Sequence, residues 1–217
     1  MLNINFENEC DYIRELFAAA RYNKEEGLVE DTLEEFVGSL PHWFEGDWNY
    51  GISKLALLPK DKPYVIKLPL SVGDDYCGIE YDVYRFIATY FPQYQNIFAE
   101  TKILPPEIFP ETSVYIQERA VTFYDVNKFR LYDYNPVIER MLQRSVRQTL
   151  DNISIDFDAS ANWWMNVLSG HFHSNIDEFN TFADFLEDQS LNIDLHVRNI
   201  GYYITNDLPV IIDYSSF

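Results

Sequence analysis

Two short apolar runs, residues 52–58 and 64–70, are separated by Pro59-Lys60-Asp61-Lys62-Pro63, and this stretch constrains the fold more than any other. Each proline fixes its own φ and lacks a backbone donor, so a regular strand or helix cannot run through the gap. Apolar runs of this length bounded by turn residues read as strands. The stretch therefore predicts a β-hairpin.

The elements around the hairpin follow from periodicity. Tyr12, Ile13, Leu16, Phe17 and Ala20 recur at helical spacing over residues 7–23, and residues 31–40 predict a second short helix capped by Asp31 or Thr32. Both are expected to brace the domain from outside. After the hairpin, Ile79, Val83, Phe86 and Ile87 predict a one-faced helix over 78–90, ended near Phe91-Pro92. Strands are expected over 99–104 and 113–118, with three prolines between them forcing a loop. From Trp43 onward the order is strand, strand, strand, helix, strand, strand. Helices follow over 136–150, 159–168 and 176–189, then strands over 200–204 and 210–212. The chain reads as α+β, and 217 residues suffice for one sizeable core or two small lobes sharing a cleft.

Bulk properties exclude several functions. A hydrophobic content of 47% with 17% aromatic residues argues for an ordered body. Thirty-five acidic against 16 basic side chains give a net charge of −19, which repels a nucleic-acid backbone and argues against direct nucleic-acid binding. The acidity reads first as solubility, and more sharply as a surface that imitates nucleic acid or courts a basic partner. Cys10 and Cys77 lack CxxC spacing, so a disulfide scaffold is not expected. With no basic, apolar leader and no run of eighteen apolar residues, the chain is expected to be cytoplasmic and free of the membrane.

The chemistry concentrates near the C-terminus. In Asn192-Ile193-Asp194-Leu195-His196-Val197-Arg198-Asn199, Asp194 and Asn199 stand five residues apart. Asp213 follows fourteen residues later, behind Val210-Ile211-Ile212. A loop, strand, turn and strand can bring an Asp, an Asn and a second Asp onto one magnesium-bound polyphosphate. Lys67 lies amid the aliphatics of Val65-Ile66-Lys67-Leu68, and an inward-facing ammonium there needs an anionic partner. Glu80, thirteen residues later, lies in the first turn of the following helix. Lys67 alone reads as an edge or snorkelling lysine, so the combination carries the inference. Other groups read as structural: His171 and His173 lack further ligands at metal spacing, Asp156 and Asp158 suit a helix cap, and Trp163-Trp164 suits core and rim. Arg140, Arg144 and Arg147 suit internal ion pairs.

Taken together, the Val-Ile-Lys at Lys67, Glu80, Asp-Leu-His-Val-Arg-Asn over 194–199 and Ile-Ile-Asp-Tyr-Ser at Asp213 resemble the protein-kinase-like superfamily from about residue 43 onward. That family includes protein kinases, aminoglycoside and choline kinases, and short phage-encoded kinases, and the Asp-Leu-His-x-x-Asn form is similar to the small-molecule and phage branch. The resemblance implies a bilobal fold: a helical extension over 1–42, an N-lobe over 43–120 with a five-stranded antiparallel sheet, and a truncated helical C-lobe over 121–217. That lobe would end just after the metal-binding Asp. ATP and Mg²⁺ are the implied cofactors, bound between the lobes. Asp194 would be the catalytic base, and Asn199 and Asp213 would hold Mg²⁺. Lys67 and Glu80 would hold phosphates, and Gln117, Glu118, Arg119 and Ala120 would form the hinge that meets adenine. Gly46 and Gly51, flanking Asp47-Trp48-Asn49-Tyr50, would frame the phosphate-covering turn.

The implied activity is phosphoryl transfer to a Ser/Thr hydroxyl of a host protein or to a small molecule, by a phage or mobile-element product. The alternative is an inactive kinase-like module whose acidic surface binds and inhibits a host defence or nucleic-acid-binding protein. A short C-lobe with an exposed apolar face would favour a homodimer.

Overall fold

The computed structural model describes residues 6–22, 27–28, 30–51, 53–70, 75–92, 95–122, 200–203 and 209–214. The chain divides into two compact units, Met1–Arg119 and Ala120–Phe217. The first holds α1 (Phe6–Phe17), α2 (Glu30–Gly38), β1 (Gly46–Tyr50), β2 (Lys54–Pro59), β3 (Tyr64–Pro69), α3 (Tyr76–Tyr90), a single 3₁₀ turn, β4 (Thr101–Ile103) and β5 (Tyr115–Glu118). Its five strands form one antiparallel sheet in the order β1-β2-β3-β5-β4.

The hairpin is present with its turn at Lys60–Pro63, and Arg119, just past the neighbouring strand β5, holds that turn. The Arg119 guanidinium donates to the Pro59 carbonyl at 2.8 Å, and its backbone N–H donates to Pro63 at 2.9 Å. Register then sorts every side chain to a face, because residues opposite each other across an antiparallel pair point the same way. Leu55 opposite Leu68, Leu57 opposite Ile66, and Ile66 opposite Ile116 make one wholly buried face. Ile13, Leu16 and Phe17 of α1 and Leu33 and Phe36 of α2 pack into the same core. Phe109 closes it, its ring 4.8 Å from that of Phe17. The two helices expected to brace the domain from outside thus complete its main core.

The opposite face carries Ala56, Lys67 and Tyr115 in one row, and α3 covers it. Central β3 is therefore covered on both sides and almost continuously buried, whereas the edge strand β1 is largely exposed.

Four local expectations are corrected. Asp47-Trp48-Asn49-Tyr50, expected as a phosphate-covering turn, is strand β1, paired residue by residue with β2, and the Trp48 and Tyr50 rings stack at 5.9 Å. The connection is the short 51–53 segment, where the Gly51 N–H donates to the Lys54 carbonyl at 3.0 Å. Gly46 serves the sheet, since a Cβ there would lie 2.4 Å from the Leu58 carbonyl oxygen. Asp31 and Thr32 fall inside α2, which starts at Glu30. On α3 the buried stripe is Cys77, Glu80, Val83 and Ile87, while Ile79 is exposed. The stripe includes a carboxylate because the sheet opposite offers ammonium partners.

The second unit, described by itself, holds β6 (Ala120–Thr122), β7 (Ile200–Tyr203) and β8 (Pro209–Ile211), antiparallel in the order β6-β7-β8. β6 was not expected. Val210, Ile211 and Tyr214 are buried. The helices expected over 136–150, 159–168 and 176–189 lie outside the described residues, as do His171, His173, Asp156, Asp158, Trp163, Trp164 and the three arginines.

Candidate functional site

Lys67 sits in the middle of β3 with its side chain on the α3 side, because it lies opposite Ala56 on one neighbour and Tyr115 on the other. Glu80 enters from the second turn of α3. Its carboxylate accepts from Lys67 Nζ at both oxygens, 3.0 Å to Oε1 and 2.8 Å to Oε2. Lys54, first residue of β2, donates to the same Oε1 at 2.7 Å. Antiparallel register explains the meeting: Lys67 faces Ala56, and Lys54 stands two residues before Ala56, so the two lysines are diagonal neighbours on one face.

The three groups are withdrawn from water. Glu80 has no exposed surface, and the Lys54 and Lys67 side chains expose 7% and 10%. Ions so buried persist when mutual attraction and hydrogen bonds offset lost hydration. Cys77, one turn earlier on the same stripe, is fully buried, and burial pushes its thiol well above the usual range, with the Glu80 charge adding to the effect. It is a packing residue rather than a nucleophile.

α3 is placed by its first turn. Asp75 caps the helix, Oδ1 accepting from the Gly78 N–H at 2.8 Å, while Oδ2 accepts from the Tyr115 hydroxyl on β5. Burial and the Asp75 carboxylate push the Tyr115 phenol upward. A Cβ on Gly78 would lie 3.0 Å from Asp75 Oδ2 and 3.1 Å from the Tyr115 oxygen, so glycine leaves room for this tether. The tether fixes where Glu80 meets the lysines.

The structure thus brings Lys67 and Glu80 together. The expected hinge residues run from β5 into β6: Gln117 and Glu118 end β5, Arg119 closes the first unit, and Ala120 opens β6. The Gln117 amide is buried and donates to Thr101 Oγ1 at 3.0 Å, and the N–H groups of Glu118 and Arg119 are given to the Glu100 and Pro63 carbonyls at 2.9 Å. Asp213 lies two residues beyond β8, half-buried and beside the fully buried Tyr214. Asp194 and Asn199 lie outside the described residues. Among the described residues there is no cluster of three or more His, Cys, Asp or Glu suited to a metal, and no helix is long and apolar enough to cross a membrane.

Sequence reasoning missed Lys54. Had all of residues 59–63 formed the turn, Lys54 would lie opposite Leu68 on the leucine face; the four-residue turn Lys60–Pro63, with Pro59 in β2, puts it beside Lys67 instead. The chain matches no protein-family model, no curated protein and no solved structure.

Proposed function

We infer that this chain is an ATP- and Mg²⁺-dependent phosphotransferase of the bilobal kinase-like kind. The observation that carries the reading is the buried ion pair between Lys67 on the central strand and Glu80 on α3, which lies between β3 and β4. A lysine held by a carboxylate in a rigid sheet is a preorganised phosphate ligand, and phosphoryl transfer asks chiefly for positioning and charge neutralisation. The order of three strands, a helix and two strands supports it as well. Donor chemistry fits the cofactors: ammonium groups suit phosphate oxygens, and the carboxylate of Asp213 with the amide oxygen of Asn199 suits Mg²⁺, a hard cation. Bound ATP would supply the transferable phosphoryl group. In this reading Asp194 orients the acceptor hydroxyl, which belongs to a protein Ser/Thr or a small molecule.

A second reading is favoured by a specific observation. The β1–β2 connection spans only 51–53 and its Gly51 N–H is already donated to Lys54, so that connection offers little backbone to phosphate. This suits a kinase-like module that has lost transfer and acts by its acidic surface on a host defence or nucleic-acid-binding protein.

Titration with ATP, with and without Mg²⁺, followed by melting temperature and calorimetry, tests the first reading. Ligand at 100 times its dissociation constant should stabilise by about 2.7 kcal/mol. Asp213→Asn should remove the Mg²⁺-dependent part, and Asp194→Asn should leave binding intact while lowering transfer by roughly 10²–10⁴-fold. No ATP-dependent shift in the wild-type chain would discard the phosphotransferase. ATP binding with no detectable transfer to any acceptor would favour the inactive module.

A further inference from the structure

We propose that Lys54 is a positioning residue that keeps the Glu80 carboxylate satisfied while Lys67 turns to a nucleotide phosphate. The proposal rests on the nucleotide-binding reading above and assigns a role to a residue that the reading does not use.

Geometry separates the two lysines. Lys67 embraces the carboxylate through both oxygens, and Lys54 donates to Oε1 at 2.7 Å. For Lys67 to engage a phosphate it must give up hydrogen bonds to a carboxylate that has no exposed surface. Water has little access to replace them, so the exchange would be strongly unfavourable if those bonds were the main ammonium support of Glu80. Lys54 changes this. Its bond to Oε1 can persist after Lys67 moves, and relief from the neighbouring ammonium strengthens it.

Lys54 is well suited to stay behind. It is the first residue of β2, lies opposite Pro69 at the end of β3, and is flanked by pairing on both sides: the Lys54 carbonyl accepts from Gly51 at 3.0 Å, and the Ser53 carbonyl accepts from Leu70 at 2.9 Å. Its backbone is fixed between β1 and β3. Tethered through Asp75 and Tyr115, α3 keeps Glu80 within its reach. Lys67 exchanges partners on a carboxylate that others hold in place.

The test is a mutant cycle on ATP affinity, measured by calorimetry, with the melting temperature of each nucleotide-free variant as the control for folding. Lys54→Met should weaken ATP binding about tenfold or more, because Lys67 is then retained by Glu80. Lys54→Arg should restore most of the affinity, since a guanidinium can also hold the carboxylate. In a Glu80→Gln background, Lys54→Met should cost nothing further, because a neutral amide needs no second cation. A further loss in that background would mean that Lys54 contacts phosphate itself, and would overturn the proposal. Unchanged affinity in Lys54→Met, with the wild type binding ATP, would overturn it too while leaving the nucleotide reading standing. Wild-type protein that shows no ATP binding at all would remove that reading, and this proposal with it. If Lys54→Met melts too low for titration, Lys54→Gln, which removes the ammonium but keeps a polar side chain, should weaken ATP binding in the same direction, and unchanged affinity there would overturn the proposal.

Discussion

Glu80 occupies a position on α3 where its neighbours on the stripe are Cys77, Val83 and Ile87, so its carboxylate is the polar centre of an otherwise apolar contact. Two ammonium groups converge on it, and both lie under the sheet's cover rather than at an open edge. Removing the acid should therefore affect folding as well as binding. Glu80→Ala is expected to lower unfolding free energy by about 3–5 kcal/mol, the usual effect of breaking a buried ion pair from one side. Urea unfolding measures it, and a loss below about 1 kcal/mol would mean that both lysines rehydrate easily. Tyr64 offers a test of a different kind. Burial, then its hydrogen bond to Glu9, pushes its phenol far above the ordinary value of 10.0. Its folded-state value is raised, so the stability it contributes is complete below pH 10.0 and declines as pH rises beyond that value. Between about pH 9 and about pH 11 the urea midpoint should fall, and Tyr64→Phe should flatten part of that slope.

Helix α3 is the element on which the site depends, and its entry is fixed by one side chain serving two partners. Asp75 caps the helix at Gly78 and accepts from Tyr115 on β5. Asp75→Ala is expected to cost about 1–2 kcal/mol in stability, and Tyr115→Phe about 1 kcal/mol. Because the two groups make one contact, the double variant should be less destabilised than the two losses added together. Additive losses in thermal unfolding would show that the tether is not a unit. The hairpin was legible because two prolines and the aliphatic runs agree locally on its turn and strands. The buried face of α3 was misjudged because periodicity counts apolar residues, and Ile79 scores better than Glu80 on that count. β1 was misread as a turn since its two flanking glycines look like loop residues, whereas Gly46 is there to admit the Leu58 carbonyl.

Across the whole molecule the dominant fact is a charge of −19. Exposed pairs such as Arg14–Asp11, Arg21–Glu35 and Lys60–Glu45 are too well solvated to counter the resulting repulsion. Self-repulsion should outweigh them. Raising NaCl from about 0.05 M to about 0.5 M is expected to lift the melting temperature by about 2–5 °C, as screening weakens repulsion at distances beyond a few ångströms. A fall with salt would show instead that surface ion pairs hold the fold.

The sequence by itself determined the hairpin and most of the succession of strands and helices in the first unit, and it offered Glu80 as the partner that an inward-facing Lys67 would need, because these follow from local spacing and from the need of a buried charge for a partner. It did not determine which face of α3 turns inward, that α1 and α2 complete the main core, or that Lys54 reaches the same carboxylate. Those outcomes depend on register between strands and on which helix lands on which face of the sheet. Such facts arise only when segments distant along the chain meet, and there the attraction between two ammoniums and a carboxylate outweighs the local preference for an isoleucine.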